Sequence, residues 1–195
     1  RESIMSKQHI LEAAAQIFSQ KGYHATSMQD IANAVDLKKA SLYHHISSKQ
    51  EILLALLDRA LDMVIEQVSD ALRIDAPYPD KLRRAMYTYL ETLVENSALS
   101  AVLLLEYRSL EAQQFTNHVA RRDRFERLWR DLIQAGVDEG IFRCHAPGQA
   151  TRALLGMMNW TITWYRPDGP STPQEIADQY AGLLLNGFLT REVAQ

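Results

Sequence analysis

Side chains that can bind phosphates and base edges gather in one part of the chain, between residues 26 and 49. Lysine neutralises phosphate or donates hydrogen bonds to guanine, serine and threonine bond to bases or to the backbone, and tyrosine hydroxyls bind phosphate. This combination predicts contacts to DNA, although a few extra lysines are more often a solvated face than a binding site. The candidate residues are Thr26, Ser27, Lys38, Lys39, Ser41, Tyr43, His44, His45 and Lys49.

The elements that must position these side chains are short helices. Apolar residues recur at helical spacing, and no long alternating run indicates a sheet, so the chain is predicted to be all-α. Gly22 suits the left-handed end of the first helix, and Thr26 with Gln29 predicts a capping box at the start of the second. The first three helices are expected at about residues 6–20, 26–35 and 38–45.

A tight turn at Asp36 and Leu37 separates the second helix from the third. Three short helices with such a turn are the geometry of a helix-turn-helix DNA-binding domain, whose third helix lies in the major groove. Leu42 is expected to point inward, which leaves the other side chains of that helix for DNA. At the start of the second helix, Thr26 and Ser27 add hydroxyls and free N–H groups that favour an anion.

A longer helical region follows. Ser48 with Glu51 predicts a second capping box, which opens a long fourth helix at residues 48–72. A proline-containing break ends it, and Thr172 with Glu175 predicts a third capping box near the end of the chain. The later helices are expected at about residues 80–96, 98–112, 115–139, 147–165 and 173–190.

Composition excludes fibrous and disordered classes. The 195 residues are 47% hydrophobic and 23% charged, and a chain of this length buries a core without disulfides or metals. Cys144 is the only cysteine, and no apolar run approaches a membrane span, so a soluble cytoplasmic protein is expected.

Residues 1–50 carry 6 Lys and Arg against 4 Asp and Glu, whereas residues 51–195 carry 15 against 20. The three short helices place the DNA-binding domain at 1–50, and the fourth helix joins it to a larger domain at 51–195.

Residues 8–57 resemble the DNA-binding domain of TetR-family transcriptional regulators. Members usually carry Ala-Gly-Val at the turn, where this chain has Val35-Asp36-Leu37. The left-handed position thus falls to Asp36, and aspartate tolerates this conformation better than most non-glycine residues. The resemblance rests on Phe18, Lys21 to Tyr23, Ala25 to Ser27, Ile31-Ala32, Ala40 to Ile46 and Ser48 to Leu53.

The family resemblance implies a symmetric homodimer that represses transcription by binding a palindromic DNA operator and releases it when a small effector binds the larger domain. Two recognition helices about 34–36 Å apart meet successive major grooves on one face of the duplex. The dimer interface is expected on the last two helices, with ordinary core packing as the alternative. The candidates are Leu154, Met157, Met158, Thr161, Leu183, Leu184, Gly187 and Phe188.

Residues 150–188 resemble the C-terminal end of TetR-type repressors of fatty-acid and steroid breakdown, which respond to acyl-CoA thioesters. This resemblance implies a hydrophobic effector such as an acyl-CoA, and the alternative is a different hydrophobic molecule, a drug or an aromatic compound. It rests on Asn159-Trp160, Trp164 to Pro170, Pro173, Glu175 to Asp178 and Gly187.

A helical wheel places Arg121 and Arg122 at the end of an apolar face, where guanidinium groups could bind the phosphates of a ligand with an apolar tail. Alternatively, both arginines extend into solvent or pair with Glu126 or another acid. Arg108 is a third candidate. Aromatic residues could line the ligand site, although at helical spacing they are more often core; they are Tyr87, Tyr107, Trp129 and Trp160.

An enzyme and a ligand-binding helical protein without a DNA function are the remaining alternatives. No glutamate has a histidine three residues later, so the di-iron pattern of helical bundles is absent from the sequence. His44 and His45 diverge by about 100° on a helix, and Cys144 lacks an identified partner. We therefore expect neither catalysis, nor a metal site, nor a bound cofactor.

Overall fold

The computed structural model describes residues 7–188, and at Gly187 and Phe188 it describes the backbone alone. These residues form nine α-helices and no β-strand, which confirms the predicted all-α class. The helices are α1 (Lys7–Lys21), α2 (Met28–Ala34), α3 (Lys39–Tyr43), α4 (Lys49–Leu72), α5 (Tyr78–Glu95), α6 (Ser97–Ala101), α7 (Ala112–Asp138), α8 (Pro147–Trp164) and α9 (Pro173–Phe188).

The first of two compact units contains the described residues up to Asp62 together with Asn96–Arg121. Here α1 packs against α2 and α6, and α2 packs against α3. Each of these helices buries one apolar stripe, which is the main source of stability for helices this short. The fully buried side chains include Ile10, Phe18, Ile31, Leu42, Ile46, Ile52 and Leu53.

The second compact unit contains Met63–Glu95 and the described residues from Arg122 onward. In this unit α5 packs against α8 and α9. No helix in the described part of the chain is both long enough and apolar enough to cross a lipid bilayer. Its buried side chains include Leu82, Met86, Tyr89, Leu90, Trp129, Ile133, Leu154 and Met158.

Helix ends follow the predicted turn chemistry, with one correction. Gly22 has φ of +83° and ends α1 as expected. The capping box of α2 is formed by Ser27 and Asp30, so the prediction of Thr26 with Gln29 was wrong by one residue. The reason is that the Thr26 hydroxyl turns inward and donates to the carbonyl of Gly22 at 2.8 Å.

The other two predicted capping boxes differ in outcome. At α9, the N–H of Thr172 donates to the Glu175 carboxylate at 2.7 Å, and the N–H of Glu175 donates to the Thr172 hydroxyl oxygen at 3.2 Å, as predicted. At α4, the Ser48 hydroxyl accepts from the N–H of Glu51 at 3.1 Å. The Glu51 carboxylate, however, accepts from the N–H of Ser47 at 2.8 Å, so the reciprocal bond begins one residue earlier than expected.

The segment between α6 and α7 is not the continuous helix that the sequence predicts for residues 98–112. A π-helix at Val102–Glu106 and a 3₁₀ turn at Tyr107–Ser109 follow α6. Wider and narrower turns in succession change the direction in which side chains point. The segment thereby places Ser109 and Glu111 beside α4 within the first unit.

Candidate DNA-binding surface and effector site

The turn before α3 has the left-handed conformation that the sequence predicts for Asp36, with φ of +53°. The N–H of Leu37 donates to the carbonyl of Ala32 at 2.9 Å, and that of Asp36 donates to Asn33 at 3.3 Å. These bonds close the end of α2 and redirect the chain within three residues. The turn therefore sets the angle at which α3 leaves the domain.

The α3 helix presents nearly all of its side chains outward. Leu42 is its only fully buried residue, at 0% exposed, and Ser41 is half-buried. The exposed polar residues at this helix, which we call the DNA face, are Lys38, Lys39, Tyr43, His44 and His45. The structure thus brings five of the nine predicted DNA-contacting residues together on one exposed surface.

Thr26 and Ser27 lie at the start of α2 but are occupied by bonds within the protein. Thr26 is 2% exposed. The Ser27 hydroxyl donates to the carboxylate of Asp30 at 2.7 Å, and Lys21 pairs with the same carboxylate at 2.9 Å. The N–H of Ser27, then the side chains of Lys21 and Ser27, lower the pKa of Asp30. An internal carboxylate therefore holds the position predicted for an external anion.

Lys49 holds the loop between α1 and α2. Its ammonium group donates to the carbonyls of Tyr23 at 2.8 Å and Thr26 at 2.7 Å, and lies 4.1 Å from the centre of the Tyr23 ring. Burial lowers the pKa of Lys49. Two of the three N–H groups of the Lys49 ammonium therefore bond to carbonyls within the protein. The predicted contact to a DNA phosphate would use the third N–H group and stays a prediction.

Gln50 is a functional candidate that the sequence did not reveal. Its amide nitrogen donates to the Tyr23 hydroxyl at 2.8 Å and to the carbonyl of Ser109 at 2.7 Å, and its oxygen accepts from the N–H of Glu111 at 3.3 Å. His24 adds a 3.0 Å bond to the Ser109 hydroxyl. The loop before α2 is thereby joined to the segment before α7 within the first unit.

An aromatic cluster lies in the second unit: Tyr89, Phe125 and Trp129. Ring centres are 5.4 Å apart for Tyr89 and Phe125, and 5.8 Å apart for Tyr89 and Trp129. The Tyr89 hydroxyl donates to Asn159 at 2.8 Å. Burial raises the pKa of Tyr89, and the positive charge of Arg122 opposes this rise. Of the predicted ligand residues, Trp129 therefore belongs to this cluster, and the charge of Arg122 acts on the pKa of its buried phenol.

The other predicted ligand aromatics have different surroundings. Trp160 is 66% exposed. Tyr107 is half-buried in the first unit and stacks on Phe115, with ring centres 6.1 Å apart. Tyr87 donates to Glu91 on its own helix. Tyr89, which belongs to the aromatic cluster, was not singled out from the sequence.

Arg121 forms ion pairs with two carboxylates of α4, those of Asp58 and Asp62. Of the two interpretations left open for Arg121, the structure shows pairing with acids. Burial raises the pKa of Asp58, and Arg121 opposes this rise. Arg108 is exposed and donates to the Tyr107 hydroxyl at 3.2 Å. A ligand phosphate would therefore compete with Asp58 and Asp62 for Arg121.

A shallow polar groove of about 180 Å³ lies between α7 and α8 in the second unit. Arg152 pairs with Glu126 across it at 3.4 Å. Within residues 7–188 no three His, Cys, Asp or Glu side chains lie close enough to hold a metal ion. The groove is lined by Asp123, Glu126, Arg127, Arg130 and Arg152.

The predicted dimer residues divide between two faces of α8 and α9. Leu154, Met158 and Thr161 are at most 1% exposed and pack within their own unit. Leu183 is 70% exposed, and Met157 and Leu184 are half-buried. At Gly187 and Phe188 the structure describes the backbone alone, so their place in the interface stays a prediction. The large apolar side chains that these two helices leave exposed are those of Trp160, Trp164 and Leu183.

Two family models match the sequence. The model for bacterial regulatory proteins of the tetR family matches residues 10–56. The model for the tetracyclin repressor-like C-terminal domain matches residues 75–188.

Relatives match along nearly the whole chain. The HTH-type transcriptional repressor KstR2 of Mycobacterium tuberculosis is 30% identical over 185 residues, which cover 94% of this chain and 92% of the relative. The TetR family regulator PfmR from Thermus thermophilus has 41% identity and a TM-score of 0.84, with coverage of 93% and 99%. AibR, solved in complex with isovaleryl coenzyme A and operator DNA, has 30% identity and a TM-score of 0.85, with coverage of 92% and 97%.

The family matches and the helix-turn-helix geometry agree with the resemblance seen in residues 8–57. The chain belongs to the TetR family of bacterial regulatory proteins, which are DNA-binding transcription factors and not enzymes.

Proposed function

We propose that this protein is a homodimeric repressor that releases its operator when it binds a hydrophobic effector, an acyl-CoA thioester. In this proposal residues 1–50 bind DNA, and residues 51–195 bind the effector and a second copy of the chain. The observation that carries it is the DNA face, whose cationic and hydroxyl side chains project from a helix that buries only Leu42. The experiments below test each part separately.

The DNA face has the chemistry of a major-groove contact. Lys38 and Lys39 can bind phosphates or guanine, while the Tyr43 hydroxyl and the two histidines can donate to phosphate or base edges. A single helix touches only a few base pairs, so a specific site requires two copies related by twofold symmetry. The expected operator is therefore a palindrome with half-sites one helical turn apart, about 34–36 Å.

A second copy of the chain is the proposed partner for the exposed apolar side chains of α8 and α9. Trp160, Trp164 and Leu183 are 66%, 46% and 70% exposed, whereas Leu154 and Met158 on α8 are fully buried. Gly156 has open space beside it, so two helices can approach closely there. Self-association through this face would bury large apolar side chains and set the spacing of the two DNA faces.

The effector is placed at the aromatic cluster. Its apolar rings suit an acyl chain, and Arg122 places a positive charge near Tyr89, which suits a phosphate-bearing head. Support comes from AibR, which was solved with isovaleryl coenzyme A.

Fluorescence anisotropy with duplexes from the chromosome of the source organism tests the DNA part. Lys39→Ala should weaken binding to all sequences and reduce the salt dependence by about one counterion. The matched control is Arg84→Ala, which removes an exposed cation of α5. The assignment of the DNA face is wrong if neither a chromosomal duplex nor one selected from a random library binds specifically. It is also wrong if Lys39→Ala and Arg84→Ala have the same affinity for the operator.

Addition of CoA thioesters to the preformed complex tests the effector part. A ligand that favours the DNA-free arrangement by about 3 kcal/mol lowers operator affinity by about 150-fold. Free CoA is the control for the head group alone. If planar aromatic compounds release the operator and CoA thioesters do not, the aromatic cluster serves a different hydrophobic effector, and the acyl-CoA proposal is replaced.

A further inference from the structure

The aromatic cluster contains a buried hydrogen-bond donor without an acceptor. Trp129 is 0% exposed, and within the described chain no residue accepts a hydrogen bond from its Nε1. An indole N–H can only donate. Since buried polar groups in folded proteins are nearly always hydrogen-bonded, this donor requires an explanation.

The neighbours of Trp129 do not supply the acceptor. The rings of Tyr89 and Phe125 meet the indole edge to face, with centres 5.8 and 6.2 Å away. The Tyr89 hydroxyl is directed to the side-chain oxygen of Asn159, to which it donates at 2.8 Å. The indole N–H therefore lies in mostly apolar surroundings, where a hydrogen bond is strong and its absence is costly.

This environment suits a ligand with one acceptor oxygen next to an apolar chain. An acyl-CoA has this order of groups: an alkyl chain, a thioester carbonyl and a phosphate-bearing head. The rings of the aromatic cluster match the chain, the N–H matches the carbonyl oxygen, and Arg122 supplies a positive charge close to Tyr89. A thioester carbonyl accepts hydrogen bonds but cannot donate them, as this partner requires.

We propose that the indole N–H of Trp129 donates a hydrogen bond to the thioester carbonyl oxygen of the effector, and so distinguishes acyl-CoA from ligands that lack this oxygen. The proposal rests on the proposed function, because it assumes that the aromatic cluster binds an acyl-CoA. It adds the specific atom through which the ligand is recognised.

Calorimetric titration of the full chain with CoA thioesters, from acetyl and isovaleryl to palmitoyl, first identifies the tightest binder. The same binder is then compared with its thioether analogue, in which a CH₂ group replaces the carbonyl. The wild type should prefer the thioester by about tenfold, the equivalent of one buried hydrogen bond. Trp129→Phe keeps an aromatic ring without the N–H and should reduce this preference to less than about twofold.

Tyr78→Phe is the control, because it removes only an exposed hydrogen bond, from the Tyr78 hydroxyl to Glu139, and should retain the tenfold preference. A second measurement does not depend on any variant. In ¹⁵N–¹H spectra of the wild type, the indole resonance of Trp129 should move downfield with the thioester but not with the thioether. This readout decides the matter if Trp129→Phe does not fold.

The outcomes separate the two proposals. If a CoA thioester binds but the thioether binds equally well and the Trp129 resonance does not respond, this inference is overturned and the proposed function stands. If Trp129→Phe retains the preference, or if Tyr78→Phe loses it to the same extent as Trp129→Phe, the assignment to Trp129 is also overturned. If no CoA thioester binds at all, the proposed effector fails and this inference fails with it.

Discussion

Replacement of Gln50 by alanine tests whether the loop before α2 is held by the segment before α7. The change removes three hydrogen bonds, to the Tyr23 hydroxyl, the Ser109 carbonyl and the Glu111 N–H. Alanine keeps the helical propensity of α4, so the effect comes from the lost bonds and not from the helix itself. The change should therefore loosen the loop and the segment together.

The magnitude follows from the number and burial of these bonds. Each contributes about 0.5–1.5 kcal/mol, and the bond to Glu111 is exposed, so water replaces it at little cost. We expect a loss of about 2 kcal/mol in the free energy of unfolding, which lowers the Tm of a chain of this size by about 4–8 °C. Tyr23→Phe removes one of the three bonds and should lose about a third as much.

Urea unfolding and hydrogen exchange measure the two consequences. Exchange should be faster at residues 21–27 and 107–111 than in the wild type, because both ends of the connection are released. Operator affinity should also fall, since this loop precedes both helices of the DNA-binding motif. The control is Gln8→Ala, which removes one exposed bond to Glu12 and should change stability by less than about 0.5 kcal/mol.

An unchanged urea midpoint for Gln50→Ala would refute the stability argument. Exchange that increases at residues 21–27 alone would show that the 107–111 segment is held by other contacts. Equal effects of Gln50→Ala and Gln8→Ala would mean that the half-buried bonds are worth no more than surface ones. Each of these results contradicts a different step of the reasoning.

Three further predictions concern other parts of the molecule. Leu183→Glu places a charge on the exposed face of α9 and should shift the protein to a monomer in sedimentation experiments; an intact dimer would exclude this interface. The side chains of Lys7 and Ser47 lower the pKa of Glu51 to about 2, so its contribution to stability should be present above about pH 4.5 and be lost as the pH falls toward 2. Glu51→Gln should flatten this part of the pH profile of Tm, and an unaltered profile would contradict it. Gly136→Ala should lower Tm, because the added Cβ would lie 2.4 Å from the buried ring of Phe142; an equal or higher Tm would show that the ring adjusts freely.

Local turn chemistry was sufficient to predict most of the fold. Gly22 and Asp36 adopt the left-handed conformation expected of them, because few other residue types tolerate it at a helix end. Thr172 and Glu175 form their capping box as predicted. The error at α2 has a simple cause: Thr26 and Ser27 are adjacent capping residues, and only burial decides which of them faces inward.

Long-range features could not be predicted in the same way. Arg121 meets Asp58 and Asp62 about 60 residues away, and Gln50 meets Ser109 at a separation of 59 residues. No local pattern encodes these pairs. Helical periodicity also cannot say which of two apolar faces packs inside the unit, so the sequence assigns Leu154 and Met158 to a partner although they are buried in their own unit.

The three tryptophans give this protein built-in optical reporters. Trp129 is fully buried, whereas Trp160 and Trp164 are 66% and 46% exposed. Aqueous iodide should therefore quench the emission of the two exposed indoles and spare that of Trp129. Because one indole lies in the aromatic cluster and the other two lie on α8, a single fluorescence sample can test the proposed effector binding and the proposed self-association separately, without an attached dye.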